Sequence, residues 1–231
     1  MSMAIVSPCS GAGWATYRVQ MMHSPIKIGD RIPNVKLSGL APDGETVENF
    51  STKEELGNGF AAVFTGLKAS HSVCSKEHFP GLVKTAEAFE NLDIKLFYLT
   101  VNTREELFAL CQQHDPDHRI MPIPDVGGDF TFLVGLGTDK YATHLGFAAQ
   151  RSAIFLQNGK VLDIQIEEDS ETCTSKSSAQ GLLERIPSIL NRNDLTCNET
   201  LDEIEDSQTN DTSIEPDDVA RTLVMLGYAN S

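Results

Sequence analysis

FTGLKASHSVCSKEHFPG, residues 64–81, is the stretch on which the reading of this 231-residue chain turns. It begins at the end of an apolar run over residues 60–65, which follows the Gly57/Gly59 turn and has the length and bulk of a buried strand. A loop of small and polar residues comes next. From Ser75 to about Phe89 the apolar spacing is helical, with Pro80 near the start of the helix or at a kink in it. Cys74 therefore stands where a strand has ended and a helix begins. A helix start favours a thiolate, so this position can make a thiol reactive, although a lone cysteine in a core is also an ordinary packing residue.

Working outward, residues 93–102 (DIKLFYLTVN) read as a second strand. Thr103 with Glu106 forms a capping-box pair that opens a helix through Cys111. A loop with Pro116, Pro122, Pro124 and the Gly127-Gly128 pair follows. Residues 152–157 and 160–166 flank Asn158-Gly159, the strongest hairpin signal in the chain, and a helix over about 177–190 closes the pattern. This alternation predicts one α/β domain over residues 24–191.

The chain holds 18 basic and 33 acidic residues, a formal net charge of −15. Such a balance argues against a nucleic-acid or anionic-membrane surface, since either needs a basic patch to meet phosphates. No apolar run approaches the roughly 20 residues of a membrane-spanning helix. Residues 192–231 carry ten acids against two bases, more than half of the net charge. Within them, 194–214 has too few large apolar groups to offset its ordering entropy, so 192–231 reads as an acidic linker with a short C-terminal helix. That helix has two expected docking sites, its own domain or a protein partner. Residues 1–23 read as a flexible N-terminal extension, with organelle targeting by residues 1–22 as the other reading. Five cysteines, at 9, 74, 111, 173 and 197, lack a C-x-x-C pair and do not make a secreted disulfide framework. The expected compartment is the cytoplasm.

The quoted segment resembles the active-site segment of the peroxiredoxins, most closely the peroxiredoxin-5 or type II subfamily. CSKEHFPG matches the family pattern at Cys74, Ser75, His78, Pro80 and Gly81. KIGDRIPNVKL at 27–37 and residues 44–50 look like the family's first strands, and Thr100-Val101-Asn102 like its Ser-Val-Asn strand end. The stretch from Pro124-Asp125 to Phe130 looks like its Asp-Pro-x-Gly-x-Phe loop. Arg151, six residues before Gln157-Asn158-Gly159, falls where the family carries an active-site arginine. Cys173 falls in a loop where some members place a resolving cysteine. The resemblance spans roughly 24–191 and implies a thioredoxin fold, with a central mixed sheet flanked by helices.

The resemblance also implies a thiol-dependent peroxidase acting on hydrogen peroxide or organic hydroperoxides. In it Cys74 is the nucleophile and becomes a sulfenic acid, Arg151 is the electrostatic stabiliser, and Cys173 is the candidate resolver through a Cys74–Cys173 disulfide. Thioredoxin or glutaredoxin/glutathione would be the reductant, no metal or organic cofactor is implied, and the assembly would be a monomer or homodimer. Two positions depart from the family. Leu67 stands in place of a proline seven residues before the cysteine, and His71 in place of a threonine or serine three before it. The first change removes a backbone restraint, and the second removes a hydroxyl aimed at the reacting oxygens. An imidazole can donate instead, so His71 is a candidate oxygen-positioning donor.

The residues leave other readings open. One is a catalytically impaired redox-sensing or protein-interaction module; another is a disulfide exchanger, the weaker for want of C-x-x-C. His71, Cys74 and His78 have the spacing of soft metal ligands on one helix face but lack a fourth member. His78 is more simply a supporting or packing residue, Cys111 reads as core, and His114 and His118 as solvated. Cys9 and Cys197 are read as incidental.

Overall fold

Strand β3 (Phe60–Gly66) is buried at every residue, because it runs through the centre of a sheet covered on both faces. The structure, a computed structural model, describes residues 24–40 and 46–198. The side chains of β3 alternate between two cores. Phe60, Ala62 and Phe64 face one, and Ala61 and Val63 face the other. Strand β4 (Ile94–Thr100) lies parallel to β3 and divides in the same way, with Leu96 and Tyr98 on the first side and Phe97 and Leu99 on the second. A continuous apolar run with period-2 packing on both sides is the mark of such an interior strand.

Before β3, strands β1 (Lys36–Leu40) and β2 (Thr46–Ser51) pair antiparallel, and α1 (Thr52–Glu55) is capped by Ser51. After it come a π-helix (Cys74–His78) and α2 (Phe79–Glu90), then β4 and α3 (Arg104–His114). Strand β5 (Met121–Pro124), α4 (Asp129–Leu133), the antiparallel pair β6 (Gly137–Lys140) and β7 (Gly146–Ala149), and the hairpin β8 (Ser152–Gln157) and β9 (Lys160–Ile166) follow. Helix α5 (Ala179–Asn198) comes last among the described residues. The main sheet has the order β5-β4-β3-β8-β9, parallel on one side of β3 and antiparallel on the other. Helices α2, α3 and α5 cover the first core through Leu82, Phe89, Leu107, Leu110, Leu182 and Ile186. This is the mixed sheet flanked by helices that the resemblance implies.

Two expectations change. The proline-bearing segment read as loop contains β5, which pairs with β4 through Pro122 and Pro124. An edge strand leaves one side of its backbone unpaired, so residues without an N–H are tolerated there. The closing helix continues to Asn198, into the start of the segment read as linker. The remainder of that segment, the C-terminal helix over 219–228, the N-terminal extension with Cys9, and residues 44–45 lie outside the described residues. Among the described residues no helix is long and apolar enough to cross a membrane.

Candidate active site

The π-helix that carries Cys74 arises from the sequence immediately after it. Pro80 has no N–H to return to the carbonyl four residues earlier, and the preceding turn widens, so that Phe79 N–H donates to the Cys74 carbonyl. Cys74 thus sits within the helical segment rather than just ahead of it, and is fully buried. It packs with Leu67 and Ala148, both also 0% exposed, so the residue in the family's proline position covers the thiol with an aliphatic side chain.

The loop leading into Cys74 is pinned from the end of β4. Asn102 Oδ1 accepts from Ala69 N–H at 2.7 Å, and Asn102 Nδ2 donates to Glu106 Oε2 at 2.7 Å. Glu106 is the same residue that completes the α3 capping box with Thr103. The Lys68 ammonium donates to the Val101 carbonyl. These ties hold the His71 end of the loop against the sheet; Ser75 N–H then donates back to His71 O at 2.9 Å, beginning the helix.

Arg151 enters from the opposite side, immediately before β8. Its position is set by a buried polar ladder in which Thr65 Oγ1 donates to Gln150 O at 2.5 Å and lies 2.7 Å from Ser152 Oγ. The guanidinium is 0% exposed, an uncommon place for arginine that requires paired groups. Nη2 donates to Cys74 Sγ at 3.3 Å and Nη1 to the Cys173 carbonyl at 2.5 Å. The arginine backbone is held as well, its N–H donating to Ser170 Oγ at 2.8 Å.

The thiol responds to these neighbours. Burial pushes its pKa up, but the His71 ring, the Arg151 charge and hydrogen bond, and the Lys68 backbone N–H together bring it down to about 7. At neutral pH a large share of Cys74 is therefore thiolate, the nucleophilic form. Cys111 is the contrast: burial, assisted by Asp115, pushes it up to about 12, and it stays a core thiol.

Of the four residues singled out in the sequence, Cys74, His71 and Arg151 converge. Cys173 is exposed and its thiol free, joined to the group through its backbone carbonyl. His78 is buried, with Nε2 donating to Ser177 O at 3.2 Å; burial, then Arg151, lower its pKa to about 3, so it is neutral. Among the described residues no group of three or more His, Cys, Asp and Glu side chains is arranged to hold a metal ion. His114, read as solvated, instead packs its ring edge-on to Phe79 at 6.4 Å. Sequence reasoning missed Asn102 and Tyr98. Asn102 is signalled only by the match to a strand end, and Tyr98 passes for an ordinary core aromatic.

Comparisons with known proteins bear on the fold and the family. Peroxiredoxin-2D of Arabidopsis thaliana is 25% identical over 165 residues, covering 71% of this chain and 99% of that protein. The crystal structure of reduced Prx3 from Vibrio vulnificus in complex with H2O2 is similar, with a TM-score of 0.61 and 24% identity over 68% of this chain and 96% of that one. Peroxiredoxin 5 from Alvinella pompejana gives a TM-score of 0.56 and 23% identity over 63% and 92% of the respective chains. These likenesses establish a thioredoxin-like peroxiredoxin fold. Since the model of the redoxin family matches residues 27–183, the span that holds the sheet, Cys74, Arg151 and Cys173, the chain belongs to the redoxin family.

Proposed function

We propose that this protein is a thiol peroxidase of the type II, peroxiredoxin-5-like kind, reducing hydrogen peroxide or organic hydroperoxides. The observation that carries the reading is the buried Arg151 guanidinium donating to Cys74 Sγ at 3.3 Å. The Cys74 thiolate attacks one peroxide oxygen and the O–O bond breaks. The sulfur becomes a sulfenic acid, and the departing oxygen takes a proton and leaves as water or an alcohol. Arg151 and His71 supply donors where negative charge shifts from sulfur to oxygen. The Cys173 thiol then condenses with the sulfenic acid, releasing water and forming a Cys74–Cys173 disulfide. A dithiol reductant of the thioredoxin type, or glutaredoxin/glutathione, returns both thiols.

The names of the relatives, Peroxiredoxin-2D and peroxiredoxin 5, support the type II assignment. The catalytic unit is residues 24–191, working as a monomer or homodimer in the cytoplasm, with 1–23 and the acidic 192–231 as flanks and the latter available to a protein partner. The test is the rate at which reduced wild type and Cys74→Ser consume one equivalent of hydroperoxide, with mass spectrometry of the products. Rapid consumption by wild type alone, ending in a Cys74–Cys173 disulfide, is the expected result. Equal, slow consumption by both proteins would overturn the reading in favour of an impaired redox-sensing or interaction module.

A further inference from the structure

Tyr98 is fully buried in β4, and its hydroxyl has no hydrogen-bond partner among the described residues. Its ring is fixed by the two residues that end the cysteine's π-helix and start α2. The His78 ring lies 5.8 Å away and the Phe79 ring 4.8 Å away, centroid to centroid. An orphaned buried hydroxyl costs on the order of 1–3 kcal/mol, and phenylalanine would fill the same ring-shaped space without that cost.

The strand beside it makes room for the oxygen. At Gly66, on β3, a Cβ would stand 2.3 Å from the Tyr98 hydroxyl and 3.3 Å from Thr100 Cγ2, so a larger residue there is incompatible with the hydroxyl's position. An oxygen with its own vacated space and no protein acceptor has a use other than packing. His78 and Phe79 close the π-helix that Cys74 opens, and the Cys74 thiol is near enough for its charge to act on the hydroxyl, although the two share no hydrogen bond in this structure. Burial first, then the charge on Cys74, push the pKa of the phenol well above the ordinary range, so it keeps its proton, and can donate, where the cysteine has lost its own.

We propose that Tyr98 is a further positioning residue of the site, its hydroxyl donating to the Cys74 sulfur as thiolate and to the oxygen that the sulfur acquires. The first half of the proposal is independent of substrate, and the second rests on the peroxidase reading. Together with Arg151, His71 and the Lys68 backbone, Tyr98 surrounds the sulfur with donors drawn from β4, the residue that precedes β8 and the active-site loop. This offsets the loss of the hydroxyl that the family carries at the position of His71.

The experiment is Tyr98→Phe in the reduced full-length chain, which keeps the ring and removes one oxygen. The pH dependence of Cys74 alkylation, followed by peptide mass spectrometry, reads the thiolate directly and without peroxide. The midpoint is expected to rise by about one pH unit, the effect of losing one hydrogen bond to a charged group. Hydrogen peroxide consumption at pH 7 is then expected to fall about fivefold, following the thiolate fraction. The thermal midpoint should hold or rise, because an unpaired buried hydroxyl has gone. An alkylation midpoint equal to that of wild type would overturn the proposal whatever the thermal result. Slow peroxide consumption by the wild type counts against the peroxidase reading alone, since the alkylation titration still decides on Tyr98.

Discussion

Arg151 Nη2 lies 3.3 Å from Cys74 Sγ, inside a site where neither residue has any exposed surface. The guanidinium also reaches the Cys173 carbonyl through Nη1, so one planar fork joins the reactive sulfur to the loop that bears the second thiol. A lysine supplies a charge but cannot hold both partners in that geometry. Arg151→Lys should therefore lower the second-order rate of peroxide consumption by about 10²-fold, the range for loss of a charge-stabilising donor. Stopped-flow kinetics on the reduced proteins would check this, and a rate within threefold of wild type would mean that the positive charge alone suffices.

The titration of Cys74 sets the pH behaviour of both rate and stability. With the thiol pKa near 7, peroxide consumption should rise with pH and level off above it. For stability, the folded thiol releases its proton at lower pH than the unfolded one, so the unfolded chain binds more protons between the two values. The contribution of Cys74 is thus fully present above the unfolded thiol range and is lost as pH falls through about 7. Thermal melts of wild type and Cys74→Ser should show a difference that shifts in favour of wild type between about pH 6 and about pH 9. A difference that does not vary with pH would mean that the thiol has an ordinary pKa.

His71 stands where the resemblance places a hydroxyl residue, and its ring, with Arg151, lowers the pKa of the Cys74 thiol against the effect of burial. Removing it should therefore be felt at the sulfur. His71→Ala is expected to raise the pH midpoint of Cys74 alkylation and to slow peroxide consumption by about tenfold, as for loss of one donor at a reacting centre. His71→Thr, which returns a hydroxyl, should recover part of the rate with less recovery of the midpoint. Equal behaviour of the two variants would show that the side chain at this position does not reach the reacting atoms.

The parts of the fold fixed by local chemistry were legible in the sequence. Asn158-Gly159 turns the β8–β9 hairpin with φ of 49° and 73°, and Asn158 Oδ1 also accepts from Gly59 N–H, so the residue types carry their own geometry. The Thr103/Glu106 capping box forms both of its hydrogen bonds. Strand β5 was hidden because its prolines signal a break wherever the edge position is unknown, and β6 and β7 are too short to show alternation. Arg151 is legible only through the resemblance, since nothing in its neighbours states that an arginine will be buried. Tyr98 and Asn102 act across the sheet on a loop about 30 residues earlier, a relation that periodicity does not encode.

The loop that carries Cys173 has a buried base and a partly exposed tip, which Arg151 ties through the Cys173 carbonyl. At the base, buried Glu167 accepts from Ser177 N–H at 2.8 Å and Ser177 Oγ at 3.0 Å, and its own N–H donates to Arg151 O at 2.9 Å. Nearer the tip, Glu171 pairs with Lys140 of β6 at 2.6 Å, with both side chains partly exposed. Because Cys74 is fully buried and Cys173 exposed, disulfide formation needs the tip or the π-helix to move. Lys140→Ala removes a tie at the tip and leaves the base intact. A partly exposed pair of this kind is worth up to about 1 kcal/mol, so the Cys74–Cys173 disulfide should appear up to about fivefold faster after one equivalent of peroxide, with the peroxide step unchanged. Acid-quenched time courses read by mass spectrometry separate the two steps. A disulfide rate unaltered by Lys140→Ala would place the limiting motion in the π-helix, where opening must break the Arg151 hydrogen bond to the sulfur.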